Sequence, residues 1–140
     1  MRVDNTGGGI VATADLAARF EKLPDLVNGD AWLVHRGRFL SVDVLIGLGA
    51  TPYYLTIEHG RIVRLERGPS PMRSWRLALR AEESGWWRHW QAVPEPHFHD
   101  LLAMAKRGAL TIEGDVRPFM ANLFYFKDVL AAPRQRAGTA

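Results

Sequence analysis

The stretch LSVDVLIGLGATPYYLTIEHGRIVRLER, residues 40–67, contains three runs in which apolar and polar residues alternate. This alternation is typical of strands that bury one face. His59-Gly60 separates the second run from the third and has the length of a two-residue hairpin turn. The stretch therefore predicts antiparallel strands with one apolar face. The apolar positions of its first two runs are Leu40, Val42, Val44, Ile46, Tyr53, Leu55 and Ile57.

Further strands are predicted on both sides of this stretch. Trp75, Leu77 and Leu79 alternate with arginine and alanine, which predicts a strand from Trp75 to Ala81 with these three side chains on its apolar face. Residues 109–113 predict a short strand. Residues 31–37 alternate as well, and they predict an additional strand before the main sheet. The expected total is five or six strands.

The remaining segments have helical spacing. A first helix is expected to begin at the N-cap Thr13 and to be broken or kinked at Pro24. Two more are expected over residues 83–93 and 97–107, and a final one after the N-cap Asp115. The predicted fold class is α+β, with a mostly antiparallel sheet and helices packed on one face. We expect one domain over residues 11–132, a flexible leader at residues 1–10 and a frayed tail at residues 133–140.

Composition excludes several classes of protein. The chain has 140 residues, of which 47% are hydrophobic, and it contains no cysteine, so disulfide scaffolds, Cys-ligated metals and thiol nucleophiles are excluded. The net charge of +3 does not indicate nucleic-acid binding, and no recognition motif accompanies the arginines. With neither a secretory leader nor a membrane-spanning stretch in the sequence, we expect a cytoplasmic protein.

Three local signals resemble the sterol carrier protein family. The stretch Gly108-Ala109-Leu110-Thr111-Ile112-Glu113-Gly114-Asp115 looks like the family's helix-ending glycine, short edge strand and start of the last helix. Residues 54–62 look like its central hairpin, and the strand from Trp75 to Ala81 also falls at the family's position. The resemblance covers about residues 38–130. It implies a sheet covered by helices with an apolar tunnel between them. It also implies no catalytic residues, and either binding of sterols, fatty acids or acyl chains or a role as an accessory module in a larger protein.

Large apolar side chains are the main functional signal, because aromatic and methionine side chains can form the wall of an apolar cavity. The alternative is that these side chains fill an ordinary core. In that case the protein would be an interaction or dimerisation module. The candidate ligand-binding residues are Trp75, Leu77, Leu79, Trp86, Trp87, Trp90, Phe98, Leu102, Met104, Phe119, Met120, Leu123 and Phe124.

The histidines suggest a third hypothesis, that the protein is a small metal-assisted enzyme. His97 and His99 could face one side of an extended segment and combine with His89, but the spacings usual for zinc are absent. No nucleophile motif is present, so we expect no catalytic residue, metal or cofactor. The expected partner is a hydrophobic small molecule. Transient contact with a membrane surface and a homodimer remain open, and nucleic acid is not expected.

Overall fold

A computed structural model describes residues 15–134 of the chain. The predicted leader, the predicted N-cap Thr13 and the tail beyond residue 134 lie outside the described residues. None of the helices within the described range is long and apolar enough to cross a bilayer.

Within the described residues, five strands form one mixed, mostly antiparallel sheet. They are β1 (Ser41–Leu48), β2 (Thr51–Glu58), β3 (Arg61–Arg67), β4 (Leu77–Ala81) and β5 (Thr111–Gly114). Their order in the sheet is β3-β2-β1-β4-β5. Strand β2 pairs antiparallel with both β1 and β3, and β4 pairs antiparallel with β5. His59-Gly60 forms the turn between β2 and β3, with positive φ at both residues, which confirms the predicted hairpin.

Strand β4 departs from the predicted run of antiparallel neighbours, because it is parallel to β1. Two parallel strands need a crossover connection, and residues 68–76 supply it. Within this connection Arg73 contacts the ring of Tyr54 and pairs with Glu66, so the segment crosses the side of the sheet on which these residues lie. Strand β4 thereby reaches the side of β1 that β2 leaves open.

The predicted strand at residues 31–37 is wrong, because this segment is helical. The carboxylate of Asp30 accepts a hydrogen bond of 3.2 Å from the backbone N–H of Leu33, and this cap favours a helix. The helices are α1 (residues 15–20), α2 (Leu23–Asn28), α3 (Ala31–Arg36), α4 (Glu83–His89), α5 (Leu101–Arg107), α6 (Arg117–Ala121) and α7 (Leu123–Ala131).

Several helices are shorter than predicted. Helix α4 ends at His89 instead of residue 93, and α5 begins after the side-chain cap Asp100 instead of at His97. The segment between them contains Pro94 and Pro96, and proline disfavours helix at the residue before it. The predicted last helix is divided in two at Asn122, whose φ of −126° and ψ of 38° are not helical.

The helices pack on one face of the sheet. The main core joins inward side chains of the strands to buried residues of the seven helices described between residues 15 and 134, among them Trp86 of α4, and to Trp90 directly after α4. The opposite face of the sheet carries a small separate cluster of Leu45, Tyr54 and Ala78, with Trp75 packed against it. The α+β architecture with helices on one face is therefore confirmed, with five strands.

Candidate functional site

The thirteen candidate residues occupy three different environments. Seven are buried in the main core between sheet and helices, three are partly buried against it, and three lie elsewhere. The buried ones are Leu77, Leu79, Trp86, Trp90, Phe98, Met104 and Phe119. The partly buried ones are Trp87, Leu102 and Leu123. The others are Trp75, Met120 and Phe124.

Three aromatic rings are stacked in the interior. Trp86 and Trp90 are stacked with ring centroids 5.4 Å apart, and Phe20 stacks on Trp90 at 5.9 Å. The indole N–H of Trp86 donates to the carbonyl of Gly47 at 2.8 Å, and that of Trp90 donates to the carbonyl of Leu130 at 2.6 Å. Both indole N–H groups are therefore already bonded within the protein, and a ligand head group could bond to them only by replacing these contacts. A role for the two indoles in ligand binding remains a prediction.

Trp75 does not share a face with Leu77 and Leu79, contrary to the sequence prediction. The strand begins at Leu77, which pairs with Val44, so strict alternation does not extend back to residue 75. Trp75 instead packs on the helix-free face, with the guanidinium of Arg80 5.9 Å from its ring centroid. It lies away from the helices that were expected to complete the ligand site.

A surface groove brings three of the candidates together. Its volume is about 710 Å³, and we call it the α7 groove. Met120 and Phe124 are 53% and 70% exposed, respectively, which is unusual for side chains of this size. The residues that line the α7 groove are Arg36, Met120, Ala121, Asn122, Leu123, Phe124 and Tyr125.

The break between α6 and α7 explains this exposure. Asn122 has non-helical backbone angles, and its side-chain amide donates to the carbonyl of Pro118 at 3.0 Å, which satisfies a carbonyl near the end of α6. Phe119 and Phe126 turn into the core, where their ring centroids are 5.5 Å apart. Met120 and Phe124 are then left on the outer side of the break.

A smaller groove of about 280 Å³ adjoins the first, since Arg36 lines both; we call it the α3 groove. Arg36 forms an ion pair with Asp128 of α7. Trp32, which is 78% exposed, forms part of the wall. The residues that line the α3 groove are Leu26, Asp30, Trp32, Leu33, Arg36, Asp128, Ala131 and Ala132.

The α7 groove is apolar apart from a few groups, of which Arg36 is the only charged one. The Tyr125 hydroxyl donates to the carbonyl of Gly60 at 2.6 Å, and burial raises the pKa of this phenol. It therefore stays protonated and bonded to the protein. Arg36 is not among the predicted site residues, because residues 31–37 were predicted as a strand. The N-capping potential of Asp30 was the signal that could have revealed helix α3.

The histidines do not form a metal site. His89 is buried, and its Nδ1 lies 2.7 Å from the carbonyl oxygen of Phe98, whereas His97 and His99 are exposed. Burial lowers the pKa of His89 to about 4, so its ring is neutral at pH 7. Across residues 15–134 no three histidine or carboxylate side chains converge as metal ligands would.

The arginines between residues 61 and 80, the most basic part of the sequence, mostly have acidic neighbours. Arg80 pairs with Glu113 at 2.7 Å, Arg64 lies 3.6 Å from Glu66, and Arg73 also pairs with Glu66. These pairs lie at the surface and neutralise much of the local positive charge. A strongly attractive surface for phosphates is therefore not formed there.

Comparison with known proteins identifies the fold. The crystal structure of sterol carrier protein 2 superposes with a TM-score of 0.67 at 12% sequence identity, covering 86% of this chain and 96% of that one. Sterol carrier protein 2 from Yarrowia lipolytica, in its apo form, gives a TM-score of 0.52 at 13% identity, covering 84% and 90%. The ubiquinone synthesis protein UbiJ-SCP2 gives 0.54 at 14% identity, covering 84% and 88%.

No protein-family model matches the sequence, and no curated protein sequence matches it either. The similarity to solved structures nevertheless extends over most of the chain. The chain therefore has the sterol carrier protein fold, which the sequence resemblance had indicated.

Proposed function

We propose that this protein is a non-catalytic carrier that binds an elongated hydrophobic molecule of the lipid, fatty acyl or sterol-like type in the α7 groove. The observation that carries the proposal is the exposure of Met120 and Phe124 beside Leu123 in a groove of about 710 Å³. Sites for small molecules commonly have volumes of roughly 300–1,000 Å³ and mainly apolar walls. A ligand here would remove both exposed side chains from water.

Burial of apolar chain is the main source of free energy for such a carrier. Burial of one methylene contributes about 0.8 kcal/mol, so ten buried methylenes contribute about 8 kcal/mol before the cost of association is subtracted. Binding in the micromolar range needs a net gain of about 8 kcal/mol, so a longer buried chain is required to offset that cost. Apolar contact would provide it without many directed polar bonds, and this suits a protein that must also release its ligand.

The fold supports the same function. Solved proteins with this architecture include two that bear the name sterol carrier protein 2. The resemblance implies a tunnel between sheet and helices, and the stacked rings of Trp86 and Trp90 occupy part of that space. The walls of the α7 groove, by contrast, already face solvent.

Uptake of a fluorescent fatty acid tests the proposal. Wild-type protein should bind one equivalent, and Phe124→Asp should weaken binding by about tenfold or more, because it places a carboxylate in the apolar wall. Met72→Asp is the matched control, since Met72 is 93% exposed on the connection between β3 and β4. Its affinity should equal that of the wild type.

A failure of the wild type to take up the probe would contradict the carrier function. Equal binding by Phe124→Asp and wild type would show that the ligand lies elsewhere. Mass spectrometry of an organic extract of the purified protein provides an independent measurement, and lipid should be found in it.

A second candidate function is an interaction or dimerisation module. The stacked interior around Trp86 and the exposed Trp32, Phe39 and Phe124 favour it, because exposed aromatic side chains are common at protein interfaces. Size-exclusion chromatography with light scattering separates the two functions. A dimer that Phe124→Asp converts to a monomer would support the module, whereas a monomer that takes up the probe supports the carrier.

A further inference from the structure

We propose that the outer edge of strand β3 is a homodimer interface, in which residues 63–67 pair antiparallel with the same residues of a second copy of this chain. Among the described strands, β3 lies at one end of the sheet and pairs only with β2. An edge strand with open backbone groups can pair with a strand of another chain. The α7 groove contains none of these residues, so the interface does not depend on the carrier function.

The backbone groups of Leu65 and Arg67 are open on this outer side. The N–H of Gly68 donates to the carbonyl of Pro52 at 2.8 Å, so Gly68 bonds toward β2. Bonding direction alternates along an antiparallel strand. Glu66 therefore also bonds toward β2, whereas the N–H and C=O groups of Leu65 and Arg67 point outward. In the part of the chain that the structure describes, no group bonds to them there.

The open part of the edge has a defined length. At one end the side chain of Asn28 bonds to both the N–H and the carbonyl of Ile62, each at 2.9 Å. At the other end the strand stops at Arg67. A groove of about 360 Å³ lies beside the part between them and is lined in part by Val63, which is 53% exposed. Residues 63–67 are therefore accessible to another strand.

The order of charges determines the register of the pair. A pairing centred on Leu65 places Arg64 of each copy opposite Glu66 of the other, because the two copies are related by a two-fold axis. Opposite charges that face each other across two strands are favourable, and like charges are unfavourable. A register centred on Arg64 or on Glu66 would place two like charges opposite each other. Only the register centred on Leu65 is self-complementary.

The contacts within one copy leave these side chains able to pair across the interface. Arg64 lies 3.6 Å from Glu66, and the two side chains are 58% and 37% exposed. Arg73 also pairs with Glu66, but a carboxylate accepts hydrogen bonds from more than one donor. Arg67, the remaining cation of the edge, lies 3.9 Å from Glu21. The open backbone groups thus favour a strand as partner, and the charges select its register.

Reciprocal charge reversals test the interface. Small interfaces dissociate on dilution, so light scattering should show a wild-type monomer at about 10 µM and a dimer at about 1 mM. Glu66→Arg and Arg64→Glu should each weaken dimerisation by about tenfold or more, because each places like charges opposite each other twice. An equimolar mixture of the two variants should dimerise as the wild type does, because opposite charges face each other again.

Arg61→Glu is the matched control, because it makes the same change of charge at an exposed position of β3 beyond the residue that Asn28 closes. It should dimerise as the wild type, and so should Phe124→Asp, which separates this interface from one formed by the exposed aromatic side chains. Circular dichroism should show every variant folded.

Hydrogen exchange followed by NMR provides a measurement on the wild type alone. The amide of Leu65 should exchange at least about tenfold more slowly at about 1 mM than at about 10 µM, because it is bonded only in the dimer. A wild type that stays monomeric at the higher concentration would overturn the interface, as would a dimer in which this amide exchanges equally fast at both concentrations. Single reversals without effect, or a mixture that fails to recover dimerisation, would overturn the register.

Discussion

The indole N–H of Trp86 on helix α4 donates a hydrogen bond of 2.8 Å to the carbonyl oxygen of Gly47 in β1, the central strand. Both residues are buried. Trp86 also stacks on Trp90, whose own N–H bonds to the carbonyl of Leu130 on helix α7. One pair of indoles therefore connects the sheet to the first helix after it and to the last helix of the fold.

Trp86→Phe should reduce the free energy of unfolding by about 1–3 kcal/mol from the hydrogen bond, with a further loss from the smaller ring. The carbonyl of Gly47 would stay buried without the indole donor. Urea denaturation followed by circular dichroism measures the change. Trp32→Phe, at a 78% exposed position, should change stability by less than about 0.5 kcal/mol. Equal effects of the two substitutions would refute a structural role for the Trp86 bond.

Acid should destabilise the protein through His89. Its pKa is about 4 in the folded protein, because burial disfavours the charged ring, and about 6.5 in an unfolded chain. The unfolded chain therefore binds a proton that the folded protein does not, and stability falls as the pH drops from about 6.5 to about 4. The loss amounts to about 3 kcal/mol over this range. Urea denaturation at several pH values measures it.

His89→Gln removes the titrating group and provides the matched comparison. This variant should lose most of the slope of stability against pH between pH 6.5 and 5, whatever its absolute stability. His35→Gln, at an exposed position, should keep the wild-type slope. An unchanged slope in His89→Gln would show that the pH dependence has another origin.

Asn28 at the end of α2 protects the edge of the sheet. Its side-chain amide donates to the carbonyl of Ile62 at 2.9 Å and accepts from the N–H of the same residue at 2.9 Å. Ile62 belongs to the edge strand β3, and these two bonds replace those of a further strand. The side chain therefore satisfies backbone groups that would otherwise be open to another chain.

Asn28→Ala should lower the free energy of unfolding by about 1–3 kcal/mol and should increase light scattering on heating, because the edge is uncovered. Asp25→Asn on the same helix is the control, at an exposed position, and should change neither property. Should Asn28→Ala unfold at the wild-type urea concentration, its two bonds would contribute nothing to stability.

Two glycines with similar backbone angles allow steric contact to be separated from backbone strain. Gly60 has a φ of +83°, and an added Cβ would lie 2.5 Å from the carbonyl oxygen of Val34. Gly108 has a φ of +88°, and nothing in the described part of the chain lies within 4 Å of such a Cβ. Gly108→Ala should cost about 1–2 kcal/mol from backbone strain. Gly60→Ala should cost about 1–3 kcal/mol more, from overpacking. Equal losses in urea denaturation would contradict the contact with Val34.

Local patterns predicted the centre of the sheet correctly. The alternation through residues 40–67 and the turn at His59-Gly60 involve neighbours along the chain, so their outcome depends on few distant contacts. The segment at residues 31–37 shows the limit of such patterns. Its short alternation fits a strand, but the cap at Asp30 and the burial of Leu33 stabilise a helix. Periodicity over so few residues does not distinguish the two.

The candidate site was predicted in part. Met120, Leu123 and Phe124 were named from the surplus of aromatic and flexible apolar residues, and they line the α7 groove. Arg36 was not named. It lies more than eighty residues earlier in the chain and reaches the groove only because α3 packs beside α7. The site role of these residues remains a prediction.

The amino-acid pattern by itself determined the α+β fold class and the strands of the central hairpin. It also contains enough apolar side chains to fill one core. It did not specify which of these side chains would face water, or that β4 would run parallel to β1. Those outcomes depend on contacts between segments distant in the chain. Phe119 and Phe124 illustrate the reason: the break at Asn122 and the position of α3 bury the first and leave the second exposed. Residue type sets the free energy gained on burial, and the packing of distant elements sets which residues are buried.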